Sequence, residues 1–374
     1  MRVLFTTSPG LGHALPMAPL AWALRTAGHE VLFVCSGAAV SAVEKAGLPV
    51  IDGAPGADIM ATFMKYQGDV DPAKGGPPPE DLVGRMFADV SALITDRVVA
   101  AAGAWRPDLV VHTVLEASGP LIAARLGVPA VLCGLHLGRG TGTSELLWPH
   151  FTAMRERHGV DQLPRVWQEI IIVPPSLCPV AGDDDWRMRH IPYNQGGQLP
   201  DWALVRPPRP RICITVGSVG PTFGAMAQLQ RLLTDLGDKD VEAVLTTGGG
   251  SVEDVPGNVR LVDWIPLSAL LPTCSAILHH GGSGTTLAAL DAGIPQVVVP
   301  FGADQFSNAE LIAKSGAGIQ RGNGIRPGDN DLSAADLDWA LSDEPTRTAA
   351  TALREEMHAM PLPPAIVPRL EQLG

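Results

Sequence analysis

The stretch 276-AILHHGGSGTTLAALDAGIPQVVV-299 decides the fold. Ala276 to Leu278 is short and apolar, and two histidines and a run of small and hydroxyl residues follow it at once, His279 to Thr286. A helix starts near Thr285, and Gln296 to Val299 is a second apolar run. Strand, small-residue corner, helix and strand make a βαβ unit. Strands this short and this apolar belong to a parallel sheet covered on both faces. Just upstream, Val241 to Thr246 and Arg211 to Val216 read as strands of the same kind, the latter leading into Gly217 and Ser218.

The amino-terminal half has the same organisation. Arg2 to Thr7 is a first strand, followed through Gly and Pro by an apolar stripe (Leu15, Ala18, Leu20, Trp22, Ala23, Leu24) that reads as a helix ending at Gly28. Glu30 to Cys35 is a second strand, Leu109 to Thr113 leads into a helix through Arg125, and Pro129 to Cys133 follows. Between the halves, Leu199 to Arg211 (LPDWALVRPPRPR) is rich in Pro and Arg and suits a stiff linker. The expected architecture is α/β, with two doubly wound, Rossmann-like domains over residues 1–200 and 211–355, joined by a linker at 201–210. A C-terminal helix within 356–374, set off by prolines at Pro361 to Pro364, is expected to cross back onto the first domain. Asp52 to Pro79 and Leu135 to Pro164 fit no βα unit and read as binding loops or lids.

Composition narrows the function. The 374 residues are 46% hydrophobic and 18% charged, enough for large cores and unlike a disordered chain. A net charge of −12 argues against nucleic acid as a partner, since phosphate backbones want a basic face. No apolar run reaches the ~18 residues that span a bilayer, and the N-terminus makes a poor signal peptide. The five cysteines show no CxxC spacing and read as packed, reduced thiols. A cytoplasmic protein is expected, its oligomeric state open, with a homodimer one option.

Chemistry is expected where strands end and helices begin. Ser8 to His13 (SPGLGH) breaks the dinucleotide fingerprint, because Leu15 stands at the third glycine and no acid follows the second strand. What remains is His13 at a helix start, either a cap or a general base kept neutral by the helix dipole. His279 to Thr286 lacks the Gly-Lys-Ser/Thr ending of a phosphate loop and the spacing of a nucleophile elbow. Its backbone amides, with Thr285 and His280, can still hold a diphosphate. Trp264, before Ile265 at a strand end, is either core or a platform for a nucleobase. Asp304 and Gln305, past the strand ending at Val299, either cap a helix or bond sugar hydroxyls. Asp183 to Asp185 could be read as a cation site, but its Pro/Gly surroundings read as a solvated loop.

Taken together, Trp264, His280, Gly282 to Thr285, Asp304 and Gln305 resemble the donor-site signature of the family 1 glycosyltransferases, and Gly10 to His13 resembles their N-terminal Gly-x-Gly-His element. The pattern is most similar to actinobacterial enzymes that attach deoxysugars to antibiotics, and the likeness runs over the whole chain to Met360–Pro364. The resemblance implies the GT-B fold, two domains facing across a cleft. It also implies a dTDP-sugar donor, a hydrophobic natural-product acceptor, inversion at the anomeric centre, and neither metal nor other cofactor. By the same likeness, His13 is the base. Trp264 and Ile265 meet the nucleobase, and His280, Gly282, Ser283, Gly284 and Thr285 hold the diphosphate with Gly217 and Ser218. Asp304 and Gln305 bind the sugar. Relatives place an Asp after the fourth strand to orient the base, where this chain has Thr113; Glu116, one helical turn on, is a candidate substitute, the alternatives being His13 acting unassisted on an already acidic phenol and a C-glycosylating or otherwise altered mechanism. Met60, Phe63, Met64, Tyr66, His136, Trp148 and Phe151, on the two irregular segments, are the candidate acceptor residues. Two alternatives stand beside this reading: a non-catalytic partner of another transferase, and a nucleotide-sugar isomerase or hydrolase.

Overall fold

In a computed structural model the structure describes residues 1–69, 78–140, 142–165, 167–180, 186–215, 217, 225–322 and 332–374. The first half contains β1 (Arg2–Thr6), α1 (Leu11–Ala14), α2 (Ala18–Thr26), β2 (Glu30–Cys35), α3 (Ala38–Lys45) and β3 (Val50–Asp52). It continues with α4 (Ile59–Met64), α5 (Glu80–Trp105), β4 (Leu109–His112), α6 (Ser118–Leu126) and β5 (Ala130–Cys133). Helices α7 (Thr143–Leu147) and α8 (Thr152–His158) precede β6 (Trp167–Ile171) and β7 (Trp186–Arg187). The second half runs β8 (Arg211–Thr215), α9 (Ala225–Leu236), β9 (Glu242–Thr246), β10 (Val259–Val262), α10 (Leu267–Leu270) and β11 (Ala276–His279). Then come α11 (Ser283–Ala292), β12 (Gln296–Val298), α12 (Gln305–Lys314) and β13 (Gly318–Gln320). Three helices close the chain: α13 (Ala334–Ser342), α14 (Glu344–His358) and α15 (Pro363–Glu371).

These elements form two parallel sheets, ordered β3-β2-β1-β4-β5-β6-β7 and β10-β9-β8-β11-β12-β13. Strand β1 pairs with β2 and β4, and β8 with β9 and β11, every pair parallel. The strand order therefore reverses direction at β1/β4 in one sheet and at β8/β11 in the other. Ligands of open α/β sheets sit in the crevice that such a reversal leaves beyond the strand C-termini. Both sheets are covered on both faces, as their apolar strands require. Val3, Phe5 and Phe33 face one core of the first sheet, and Leu4, Val34 and Val110 the other. Phe5 and Phe33 stack at 4.6 Å, and each such buried side chain contributes about 1.5–3 kcal/mol.

The segment 188–210 joins the sheets, and its Trp202 ring meets the Arg211 and Arg260 guanidiniums at 5.3 and 5.1 Å. The closing helix returns to the first sheet: Ile366, Val367 and Leu370 of α15 share a core with Leu20 and Leu24 of α2, and Glu371 meets His29 at 2.9 Å. The two segments expected to be irregular are partly helical. The first contains α4, and the second contains α7, a 3-10 turn at Trp148–Phe151, and α8. All five cysteines are buried, and no disulfide joins any two of them.

Candidate active site

The β11–α11 corner is built around one imidazole. His279, fully buried, is structural: its Nε2 pairs with Gln296 Oε1 at 2.9 Å and its Nδ1 accepts from Gly281 N at 3.1 Å. His280 emerges into the cleft, its ring held between Gly217 and Gly282. A Cβ on Gly217 would stand 2.7 Å from His280 Nε2, and one on Gly282 would stand 3.1 Å from Cε1 and nearer still to Nε2. Gly217 also has φ +71°, a conformation that disfavours any side chain. Both glycines are thus required by the ring they enclose.

Helix α11 then begins at Ser283, two residues earlier than Thr285, with Gly282 as its N-cap and no side chain capping it. Thr285 N and Thr286 N both turn back to Gly282 O, at 3.1 and 3.0 Å. Among the described residues, no protein carbonyl takes the Ser283 and Gly284 amides. The positive end of a ten-residue helix therefore opens beside His280, which is an anion site by construction. Asp304 closes the corner: its Oδ2 accepts from Ser283 Oγ at 2.6 Å and from Asn308 Nδ2 at 3.1 Å. Burial lowers the His280 pKa to about 4, against the opposing pull of Asp304, so the ring is neutral at pH 7 and donates from one nitrogen only.

Across the cleft, His13 lies on α1, directly after β1. Its Nδ1 is buried and meets no side-chain partner. Burial lowers its pKa to about 4, Asp304 and a hydrogen bond to the Val114 backbone pulling the other way and His136 adding to the fall. Phe87 of α5 lies beside it, ring centroids 6.5 Å apart, and Phe63 of α4 meets Phe87 edge-on at 5.6 Å. A single cavity of about 260 Å³ joins the two sides. Leu11, His13, Leu15 and Leu135 line it from the first half, Gly217, Trp264, His280, Ser283 to Thr285 and Asp304 from the second. Trp264 is 46% exposed there, with a free indole face, whereas Ile265 is 4% exposed and offers the cavity little but backbone.

The residues singled out in the sequence sort clearly. His13, Gly217, Trp264, Ile265, His280, Gly282, Ser283, Gly284, Thr285 and Asp304 share the cavity; Ser218 lies outside the described residues, as do Asp183 to Asp185. Gln305 does not line it. Its Oε1 accepts from Phe301 N and Gly302 N at 2.8 and 3.2 Å, pinning its own loop. Glu116 corrects the expectation that it orients His13. Its oxygens accept from Thr6 Oγ1 at 2.5 Å, Ser118 N at 2.7 Å, Gly119 N at 2.9 Å and Ser118 Oγ, so both are consumed at the start of α6. Thr113 meets Thr7 Oγ1 at 3.3 Å instead of completing a dyad.

The acceptor expectations divide. Phe151 is corrected: it is 2% exposed and part of the core between α5, α6 and α7, where it can touch no ligand. Trp148 packs on that same cluster under the Arg155 guanidinium, 4.9 Å from its ring, and does not line the cavity. Tyr66 hydrogen-bonds Asp89 at 2.8 Å, on α5. Met60 and Met64 are exposed on α4, on the face that carries Phe63. His136 does not line the cavity, yet it lies near enough to disfavour a proton on His13, and burial lowers its own pKa as well. Sequence reasoning missed Phe87, and also His190, Tyr193 and Asn194, which line the cavity from the segment joining the sheets. No motif marks them; their position beside the crossover is the only signal.

Two parallel sheets whose reversal points share one cavity define a glycosyltransferase of the GT-B architecture. The chain matches the erythromycin biosynthesis protein CIII-like N-terminal domain over residues 22–217 and the corresponding C-terminal domain over residues 230–373. It is 38% identical to the elloramycin glycosyltransferase ElmGT of Streptomyces olivaceus, over 99% of this chain and 97% of the relative. The crystal structure of the glycosyltransferase SnogD from Streptomyces nogalater superposes with a TM-score of 0.86 at 40% identity, covering 100% of this chain and 99% of that one. SsfS6 from Streptomyces sp. SF2575, solved complexed with thymidine diphosphate, gives 0.83 at 30% identity, covering 100% and 99%. The chain therefore belongs to the erythromycin biosynthesis protein CIII-like family, glycosyltransferases that carry deoxysugars to natural-product aglycones.

Proposed function

We propose that this glycosyltransferase takes its deoxysugar from a thymidine diphosphate donor, inverts the anomeric centre, and uses no metal. The observation that carries the reading is the His280 ring clasped by Gly217 and Gly282 beside the open amides of Ser283 and Gly284, facing His13 across one cavity. In this reading the nucleobase lies on Trp264 and the diphosphate sits at the N-terminus of α11. Departure of the nucleoside diphosphate leaves negative charge on the β-phosphate. Donors already aimed there stabilise that charge, by about 2.7–4 kcal/mol for each well-placed group. The helix dipole supplies the positive potential that a metal provides elsewhere, and the neutral His280 ring adds an N–H donor, which is why no metal is invoked. Asp304, held by Ser283 and Asn308, keeps one oxygen for a sugar hydroxyl. His13, on the opposite wall, takes the acceptor proton; attack from that side, opposite the leaving group, inverts the anomeric carbon. The solved complex of SsfS6 with thymidine diphosphate supports the donor class.

The test is a transfer assay with a thymidine diphosphate deoxysugar in EDTA. Wild-type protein is expected to form product, and His13→Ala to lose at least about a hundredfold in kcat while thymidine diphosphate still raises its melting temperature. A metal requirement, retained configuration in the product, or full activity in His13→Ala contradicts the reading. Release of free sugar without acceptor, at the transfer rate, would favour the hydrolase alternative.

A further inference from the structure

The surroundings of His13 are unusual in what they withhold. A catalytic histidine gains basicity when a carboxylate holds its second nitrogen. Here Nδ1 is buried with no side chain holding it, and the ring's hydrogen-bonding neighbour is the Val114 backbone. The two side chains placed to supply one are spent elsewhere. Thr113 bonds Thr7, and Glu116 bonds Thr6, Ser118 and Gly119. Among the described residues no carboxylate hydrogen-bonds the His13 ring. Leu11, Leu15, Pro16 and Leu135 line the cavity on its side, Phe87 lies 6.5 Å from the His13 ring, and Phe63 meets Phe87 edge-on at 5.6 Å. Exposed Met60 and Met64 extend the same face of α4, and thioethers make favourable contacts with aromatic rings.

We propose that the acceptor is a planar aromatic compound presenting a phenolic hydroxyl to His13, with its rings seated against Phe87 and Phe63. This deepens the reading of His13 as proton acceptor and rests on it. A base without a supporting carboxylate, its pKa lowered to about 4, is poorly matched to an aliphatic alcohol. A phenol, which ionises near 10 as tyrosine does, releases its proton far more readily. In the step, the phenolic proton passes to His13 and the phenolate electron pair forms the new bond to C1 of the sugar. The C1–oxygen bond to the β-phosphate breaks, and its pair stays on the departing diphosphate. The aromatic pair supplies offset or edge-on ring contacts, for which a saturated, puckered acceptor has no equivalent.

The experiment offers 2-hydroxyanthraquinone and 2-(hydroxymethyl)anthraquinone, one ring system with a phenolic or an alcoholic hydroxyl, together with a thymidine diphosphate deoxysugar. The phenol is expected to be glycosylated at least about a hundredfold faster in kcat/KM. Phe87→Ala is expected to raise KM for the phenol several-fold while the melting shift given by thymidine diphosphate stays unchanged. Equal rates for the two acceptors, preference for the alcohol, or transfer to neither while thymidine diphosphate still stabilises the protein overturns the proposal. Loss of that stabilisation in wild-type protein instead overturns the donor reading on which it rests.

Discussion

At the scale of single residues, the site depends on two hydrogen atoms, the ones that stand where Gly217 and Gly282 would otherwise carry Cβ. Gly217→Ala places a carbon against His280 and must push the ring out of the corner. It also forces a side chain to φ +71°, a strain of about 1–3 kcal/mol. The expected outcome is a folded protein whose melting temperature thymidine diphosphate no longer raises. An unchanged shift would show that the ring does not need its present seat. His280 and its neighbours were legible in the sequence because small residues between a strand and a helix have few uses. Phe87 was not legible. A phenylalanine on an amphipathic helix is ordinary core by every local rule, and only the packing of α5 beside α1 brings it to His13. Phe151 failed the other way: an aromatic in a segment taken for a binding loop went into the core.

At the scale of elements, Glu116 is the clearest case of a residue given the wrong job by proximity in sequence. The amides of Ser118 and Gly119 open α6, and the Glu116 carboxylate satisfies both while tying β1 in through Thr6. Burial raises its pKa, and the hydroxyl and amide donors around it pull the other way. Glu116→Ala leaves those donors buried without an acceptor, at about 1–3 kcal/mol each. A lowered urea midpoint is expected, with kcat per folded molecule within a few-fold of wild type. Near-complete loss of kcat at undiminished stability would restore Glu116 to the chemistry. The central strands β1, β2, β4, β5, β8, β9, β11 and β12 were readable because burial on both faces makes them continuous apolar runs. The edge strands β3, β7, β10 and β13 were not: they are two to four residues long, and β3 and β10 are partly open to solvent.

At the scale of the whole molecule, the fold confines neutral imidazoles. Burial lowers the pKa of His112 and His190 to about 4 and of His279 to about 3, from 6.5 in an unfolded chain. Below pH 6.5 the unfolded chain binds protons that the native state refuses. Their contribution to stability is therefore intact from about a pH unit above 6.5 and falls as pH drops through 6.5 toward 4. Each ring accounts for up to about 1.4 kcal/mol per pH unit, so three together remove on the order of 3–4 kcal/mol by pH 5.5. Urea midpoints at pH 8.5, 7.5 and 5.5 should be nearly level between the first two and clearly lower at the last. A flat profile would mean these rings are reached by water or charged in the native state. The two-sheet organisation was legible from the repeated strand–helix pattern. The segment that brings His190, Tyr193 and Asn194 to the cavity was not, because its conformation is set by the two halves it joins.

The most direct test of the anion corner is calorimetric titration of thymidine diphosphate into wild-type protein and His280→Ala at pH 7.5. Wild-type protein should bind one equivalent, and the variant should bind about 10- to 100-fold more weakly, the value of one hydrogen bond to a charged group. Equal affinity in the two proteins, or no binding to the wild type, would show that the start of α11 does not hold the diphosphate.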